Sequence, residues 1–191
     1  MKVIAINGSP NKKGNTTRLV NYVFEELKIL NIKTELIELT GKNLKGCKAC
    51  RQCFINKNKK CIIKSDKLNN IVKKMSESDG IIFASPTYFS NVTSNMKSLI
   101  DRSGLVGRAN GFLYQNKVAA AVVAVRRAGA VKVFDAINNF FLINKMIVPG
   151  SIYWNMGFGL LPGEVEHDDE GIQTMRELGK NMGWLLKKIN K

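Results

Sequence analysis

At 191 residues, 45% of them hydrophobic, the chain is long enough to bury a full α/β core and too apolar to be disordered. No apolar run approaches the roughly 20 residues needed to cross a bilayer, and no secretory cleavage site follows the N-terminus, so the expectation is a cytoplasmic protein without a membrane span. The net charge is +15, from 30 Lys and Arg against 15 Asp and Glu, which favours acidic partners; with no nucleic-acid module in the chain, an acidic electron-carrier protein is a better candidate than nucleic acid, and no nucleic-acid partner is expected.

The chain opens with an apolar strand, Met1 to Ile6. The loop Asn7-Gly8-Ser9-Pro10-Asn11-Lys12-Lys13-Gly14-Asn15-Thr16-Thr17 follows. A helix then runs from about Thr16 to Leu30, with Leu19, Val20, Val23 and Leu27 at helical spacing. A glycine- and hydroxyl-rich loop between a strand end and a helix start is a phosphate-binding geometry: free N–H groups and the positive dipole end meet there. The loop matches neither G-x-x-x-x-G-K-[ST] nor G-x-G-x-x-G. A terminal phosphomonoester such as that of FMN suits it, with Ser9, Asn15, Thr16 and Thr17 as donors. An ordinary capped turn, with Asn15 or Thr16 as N-cap, is the plainer alternative.

Lys33 to Leu39 alternates and reads as a second strand nearer a sheet edge. A helix starting near Ser65 to Leu68 carries Leu68, Ile71, Val72 and Met75 on one face, with Ser65 or Asp66 as cap. Gly80 to Ser85 is a continuous apolar run, the mark of a central parallel strand. The loop Pro86-Thr87-Tyr88-Phe89-Ser90-Asn91 comes next, then a helix over Thr93 to Ser103. In that helix Asp101 and Arg102 are expected to form a structural pair. Lys117 to Val125 is a fourth strand, followed by the loop Arg126-Arg127-Ala128-Gly129 and a helix over Val131 to Lys145. Ile147 to Trp154 holds the fifth strand. A glycine-rich, acidic loop from Gly157 to Gly171 leads into a last helix to Ile189.

Strand and helix alternate five times. That pattern predicts a single α/β domain over 1–191, a doubly wound parallel sheet in the order 2-1-3-4-5. Ligands of such sheets sit beyond the strands' carboxyl ends at the switch point, where the loops after strands one, three and four meet. Pro86, Thr87, Tyr88 and Phe89 suit the flat ring of a flavin, by stacking and by amides that reach its polar edge.

All four cysteines fall in a cysteine-rich loop at about 44–64, after the second strand. Cys47-x-x-Cys50-x-x-Cys53 puts three thiols at tight spacing, and Cys61 follows after seven intervening residues. A compact four-thiolate set is the pattern of a [4Fe–4S] cluster. Zinc also takes four cysteines, usually as two separated knuckles. Free thiols are the third reading.

Taken together, Gly-Ser-Pro-x4-Asn-Thr-Thr, the Cys-x2-Cys-x2-Cys-x7-Cys motif, Ser-Pro-Thr-Tyr-Phe, Lys97-x3-Asp101-Arg102, Arg126-Arg127-x-Gly129 and the closing Gly163-Glu164-Val165 and Asp169-Glu170-Gly171 segments resemble the iron–sulfur flavoproteins. These are flavodoxin-like members of the NAD(P)H-dependent FMN reductase superfamily. The resemblance implies FMN and a [4Fe–4S] cluster in each subunit, a homodimer or homotetramer, and a ferredoxin as donor. It implies that Ser9, Asn15, Thr16 and Thr17 hold the FMN phosphate. Pro86 to Phe89 would hold the ring, and Arg126, Arg127 and Gly129 would line its other edge. Cys47, Cys50, Cys53 and Cys61 would ligate the cluster. The expected function is a redox flavoprotein that passes single electrons from the carrier through the cluster to FMN and on to a two-electron acceptor. The alternative is a cluster-free NAD(P)H-dependent FMN or quinone-type reductase. No catalytic acid or base is expected; the lone His167 reads as a surface residue.

Overall fold

A computed structural model of the chain describes residues 1–189. Its strands are β1 (Lys2–Asn7), β2 (Lys33–Glu38), β3 (Gly80–Pro86), β4 (Val118–Val125) and β5 (Met156–Phe158). Its helices are α1 (Asn15–Ile29), α2 (Gln52–Asn56), α3 (Leu68–Glu77), α4 (Ser94–Ala109), α5 (Ala130–Ile143) and α6 (Asp169–Ile189), with a 3-10 turn at Glu164–His167. The five strands form one parallel sheet in the order β2-β1-β3-β4-β5, as the alternation of elements predicts.

The strand sequences explain why both faces are covered. Side chains alternate across a strand, so an apolar run feeds two cores. On β1, Ile4 and Ile6 enter one core and Val3 and Ala5 the other. On β4, Ala119, Ala121 and Val123 face the first, and Val118, Ala120, Val122 and Ala124 the second. The first core is roofed by α3, α4 and α5 through Met75, Met96, Leu99, Val133 and Phe140. The second is roofed by α1 and α6 through Leu19, Val23, Met175 and Met182. Fully burying such a side chain is worth roughly 1.5–3 kcal/mol. These two cores, more than helix propensity, hold the helices in place.

Backbone bonds carry the sheet past its strand ends and fix the loops that matter. Gly8 N–H donates to Ala84 O at 2.8 Å, and Thr87 N–H to Ala124 O at 2.8 Å. The loops after β1, β3 and β4 therefore sit side by side at one edge of the sheet.

The sequence placed the fifth strand at Ile147 to Trp154, and this is corrected. Ile147 makes one parallel bridge to Val118 and leaves the sheet. The chain detours through Pro149 and Gly150 before β5 pairs Met156 with Val123. Proline has no N–H for a ladder, and glycine weakens a strand interior, so the apolar Ile152-Tyr153-Trp154 stays exposed outside the sheet. The helix after β3 also runs past Ser103 to Ala109, and helix α3 starts at Leu68 with Lys67, not Ser65 or Asp66, at its N-cap position.

Candidate functional site

A cleft of about 230 Å³ opens at the carboxyl ends of β1, β3 and β4. Ser9, Asn11, Gly14, Asn15 and Thr16 line one side, and Pro86, Thr87 and Tyr88 another. Ala124, Val125 and Arg126 form its floor and edge, and Gly159, Leu160 and Pro162 close it. Helix α1 begins at Asn15 with Gly14 as N-cap and has no side-chain cap. Neither Asn15 nor Thr16 is the cap, and the first-turn N–H groups, orphaned by helix geometry, belong to the cleft wall.

The polar side chains here divide into scaffold and free groups. Ser9 Oγ is engaged with the backbone of Asn11, donating to its O and accepting from its N–H, each at 3.1 Å. Asn15 Nδ2 donates to Leu161 O at 3.0 Å, and Asn15 Oδ1 accepts from Gly163 N–H at 2.8 Å. Asn15 thus clamps the loop after β5 over the cleft. Thr17 Oγ1 donates to Lys12 O at 2.7 Å and accepts from Asn7 Nδ2 at 2.9 Å, bracing the loop from outside the cleft lining. Thr87 Oγ1, by contrast, is buried without a hydrogen-bond partner among the described residues. A buried, unpaired hydroxyl in a cleft wall is costly unless a ligand group meets it. Donors of this kind, with a bare helix start, fit a phosphorylated planar cofactor such as FMN.

Tyr88 and Asn91 exchange backbone bonds of 2.9 and 3.0 Å around a tight turn whose middle residues, Phe89 and Ser90, both have positive φ. Phe89 stands fully exposed at that tip, outside the cleft lining. Arg127 and Gly129 are also outside it. Gly129 has φ +87°, and a Cβ there would lie 2.5 Å from Ser90 Oγ, so the loop after β4 packs against the β3 turn through this glycine. The cleft opens into a shallow recess that shares Arg126, Gly159 and Leu160 with it and adds Phe158, Glu164 and the exposed His167. Glu164 Oε2 accepts from Leu160 and Leu161 N–H, and those bonds hold its carboxyl below the usual value.

Under Glu38 at the end of β2, burial outweighs the hydrogen bonds from Thr17 and Asn7 and raises the carboxyl. Its Oε2 is buried and unpaired.

The four cysteines line one small cavity with Lys48, Arg51, Ile62, Ile63, Arg102, Leu105 and Val106. The lining carries no carboxylate or imidazole. Soft thiolate donors alone suit an iron–sulfur cluster or zinc. Cys47 and Cys50 are exposed, and Cys53 and Cys61 half-buried. Among the described residues no three Cys, His, Asp or Glu side chains are drawn close enough to hold an ion. The thiols thus converge on the cavity without closing on it. Burial raises the Cys53 thiol, against backbone bonds that lower it.

The cavity is backed by a buried ion pair. Arg102 of α4 meets Asp66, with both side chains at most 2% exposed. Burial pushes the Asp66 carboxyl up, but hydrogen bonds from Arg102, Lys45 N–H and Leu68 N–H outweigh it and hold it low. The expected Asp101–Arg102 pair is therefore corrected: Asp101 pairs with Lys97 one helical turn away, at 2.5 Å. Neighbours in sequence on a helix point in different directions, so the inward Arg102 and the outward Asp101 cannot meet.

A profile of the NADPH-dependent FMN reductase family matches residues 1–160. An iron–sulfur flavoprotein of Methanocaldococcus jannaschii is 42% identical over the full length of both chains. An iron–sulfur flavoprotein of Methanosarcina thermophila is 34% identical over all of this chain and 98% of its own. The chain belongs to the iron–sulfur flavoproteins within this family. It is an FMN-dependent oxidoreductase with a flavodoxin-like fold. Among solved structures, RosB with a bound 8-demethyl-8-formylriboflavin-5'-phosphate intermediate superposes with a TM-score of 0.75 at 16% identity, covering all of this chain and 80% of RosB, a likeness of fold alone.

Sequence reasoning missed the third wall of the cleft in this flavoprotein. Gly159, Leu160 and Pro162 lay in what read as a glycine-rich acidic loop. No local signal marked this wall: Gly159 is required by tertiary crowding, since a Cβ there would sit 2.7 Å from Val165 N and 2.8 Å from Asn15 Nδ2. Arg102 and Asp66 were also missed as a pair, being 36 positions apart.

Proposed function

We propose that this chain is a redox flavoprotein that takes single electrons from an acidic, ferredoxin-type carrier and delivers them, by way of a [4Fe–4S] cluster and FMN, to a two-electron acceptor. The observation that carries the reading is the convergence of Cys47, Cys50, Cys53 and Cys61 on one cavity free of other ligand types. When bound, a four-iron cluster exchanges one electron at a time and FMN one or two, so two single deliveries balance one two-electron reduction.

The chain's own residues supply binding, orientation and access. The α1 first turn with Ser9 and Thr16 would hold the phosphate, Pro86, Thr87 and Tyr88 the ring, and Arg126 its far edge. Asn15 and Thr17 act on the cofactor through the loops they clamp. The recess beside Arg126 gives an acceptor its approach. Lys59, Lys60, Lys64 and Lys73 line a broad groove that also contains Cys61, which puts positive charge beside the fourth thiol. Such a groove favours an acidic carrier and speeds its encounter at low salt. The exposed Ile152, Tyr153, Trp154 and Trp184 supply apolar surface for a homodimer or homotetramer.

Protein purified without oxygen tests the reading. The expected result is broad absorption near 400 nm with about four iron and four sulfide per chain, the stoichiometry of the four-thiolate cluster. A reduced acidic carrier should then bleach the flavin, more slowly as salt rises. A plain flavin spectrum without iron, even after anaerobic reconstitution, overturns it. One finding favours a second reading, a cluster-free NAD(P)H-dependent FMN or quinone-type reductase: the matching family is described by NADPH-dependent chemistry. Rapid bleaching by NADPH in iron-free protein would establish that reading instead.

A further inference from the structure

Arg102 is 1% exposed, and nothing in the redox reading above uses it. All three nitrogens of its guanidinium are engaged. Nε donates to Cys61 Sγ at 3.4 Å. Nη1 donates to Lys45 O at 3.0 Å and to Asp66 Oδ2. Nη2 donates to Asp66 Oδ1 at 3.3 Å and to Ile63 O at 3.4 Å. Asp66 answers from the other side: its Oδ2 accepts from Lys45 N–H at 3.0 Å and its Oδ1 from Leu68 N–H at 3.2 Å.

These partners are the two ends of the cysteine loop. Lys45 precedes the first thiol, and Cys61, Ile63 and Asp66 hold or follow the last. Between them the backbone is irregular, with Ala49, Arg51, Lys57 and Lys59 all at positive φ. A planar fork can serve a carboxylate, two carbonyls and a sulfur at once, whereas an ammonium cannot. A buried guanidinium is stable here only because Asp66 compensates it.

We propose that Arg102, held by Asp66, is a positioning residue for the four-thiolate centre. It sets where Cys61 stands relative to Cys47, Cys50 and Cys53. It also places an N–H···S bond and a buried positive charge against that sulfur, which raises the cluster's reduction potential. Hydrogen bonds to cluster sulfurs and local net charge are the protein's means of setting that potential. The inference rests on the cluster reading of the cysteines.

The pair gives a test with opposite signs. Wild type, Arg102→Gln, Arg102→Lys and Asp66→Asn full-length proteins would be reconstituted without oxygen. Iron, sulfide and FMN per chain would be measured, and the cluster midpoint potential followed by EPR. The expected result is a lowered potential and at least a twofold loss of iron in Arg102→Gln, and a raised potential in Asp66→Asn. Arg102→Lys should lie between wild type and Arg102→Gln. FMN per chain should not change, which separates these effects from misfolding. If Arg102→Gln loses its FMN as well, Arg102→Lys decides, and a wild-type potential there overturns the proposal. Potentials that stay at the wild-type value, or move in the same direction in Arg102→Gln and Asp66→Asn, overturn it while the cluster reading stands. A wild-type chain that binds FMN but no iron overturns both.

Discussion

At the cleft, the loops continue strands whose register is set by a sheet buried on both faces, and side chains such as Asn15 and Thr17 are spent on bracing those loops. The cysteine cavity is lined by the loop itself and by Arg102, Leu105 and Val106 of α4, with no strand residue among them. The backbone wanders through left-handed residues and one five-residue helix. A buried ion pair ties its two ends to α4, and Asn95 and Asn110 of that helix and its cap accept from Leu44 N–H at 3.0 Å and Lys59 N–H at 2.9 Å. The first site is framed by the core and should survive local damage. The second is held by that pair, by a few side-chain amides and by whatever the thiols bind. On the proposed function, this difference would suit two cofactors of different kinds: a planar organic molecule needs a preformed slot, while metal–thiolate bonds can organise their own loop.

The sharpest way to break the comparison is Arg102→Ala. It leaves Asp66 buried without its counter-charge, an error costing about 3–5 kcal/mol. Urea unfolding should show that loss, with iron content falling further than FMN content. The reverse damage is Gly159→Ala, whose Cβ would meet Val165 N and Asn15 Nδ2 below 3 Å. Overpacking of this kind costs about 1–3 kcal/mol, so FMN should bind roughly tenfold or more weakly by fluorescence quenching. Iron per chain should stay at the wild-type level.

The two regions should also respond to pH with opposite sign. Asp66 has a lowered carboxyl pKa in the folded state, so its contribution is complete above its ordinary value of 3.8 and lost as pH falls through the folded value. Glu38, bonded to Thr17 behind the glycine-rich loop, has a raised one, so its contribution is present below its ordinary value of 4.5 and lost as pH rises through the folded value. Asp66→Asn should therefore flatten the acid limb of the stability profile. Glu38→Gln should remove a loss of stability on the way to neutral pH. Unfolding midpoints between pH 3 and 7 would read both. The smallest effect belongs to Asp101→Asn, which removes an exposed pair at i, i+4 spacing, worth about 0.3–0.5 kcal/mol. A loss as large as that of Arg102→Ala would mean that the two neighbours share one network after all.

What could be read from the sequence follows the same division. Strand order, the glycine-rich loop after β1 and the loop after β3 were legible because they rest on local signals: apolar runs, glycine and helical spacing. The fifth strand was not. Ile147-Val148 and Ile152-Tyr153-Trp154 have strand composition but are split by Pro149-Gly150. The segment that pairs, Met156-Gly157-Phe158, carries a glycine because a Cβ would lie 2.6 Å from Leu19 Cδ2. Tertiary crowding chose that residue, and no strand propensity announces it. The third cleft wall was hidden for the same reason. The cysteine spacing was plain in the sequence, but the Arg102–Asp66 pair was not, since nothing local marks a contact across 36 positions.

The detour between Ile147 and Met156 also bears on how the molecule behaves when crowded. It cuts the outer strand at that side of the sheet to three residues, too short to template the addition of a strand from another molecule. The opposite edge, β2, is six residues long but carries the charges of Lys33 and Glu35. One border is guarded by brevity and the other by charge, and both discourage the edge-to-edge pairing that leads to aggregation.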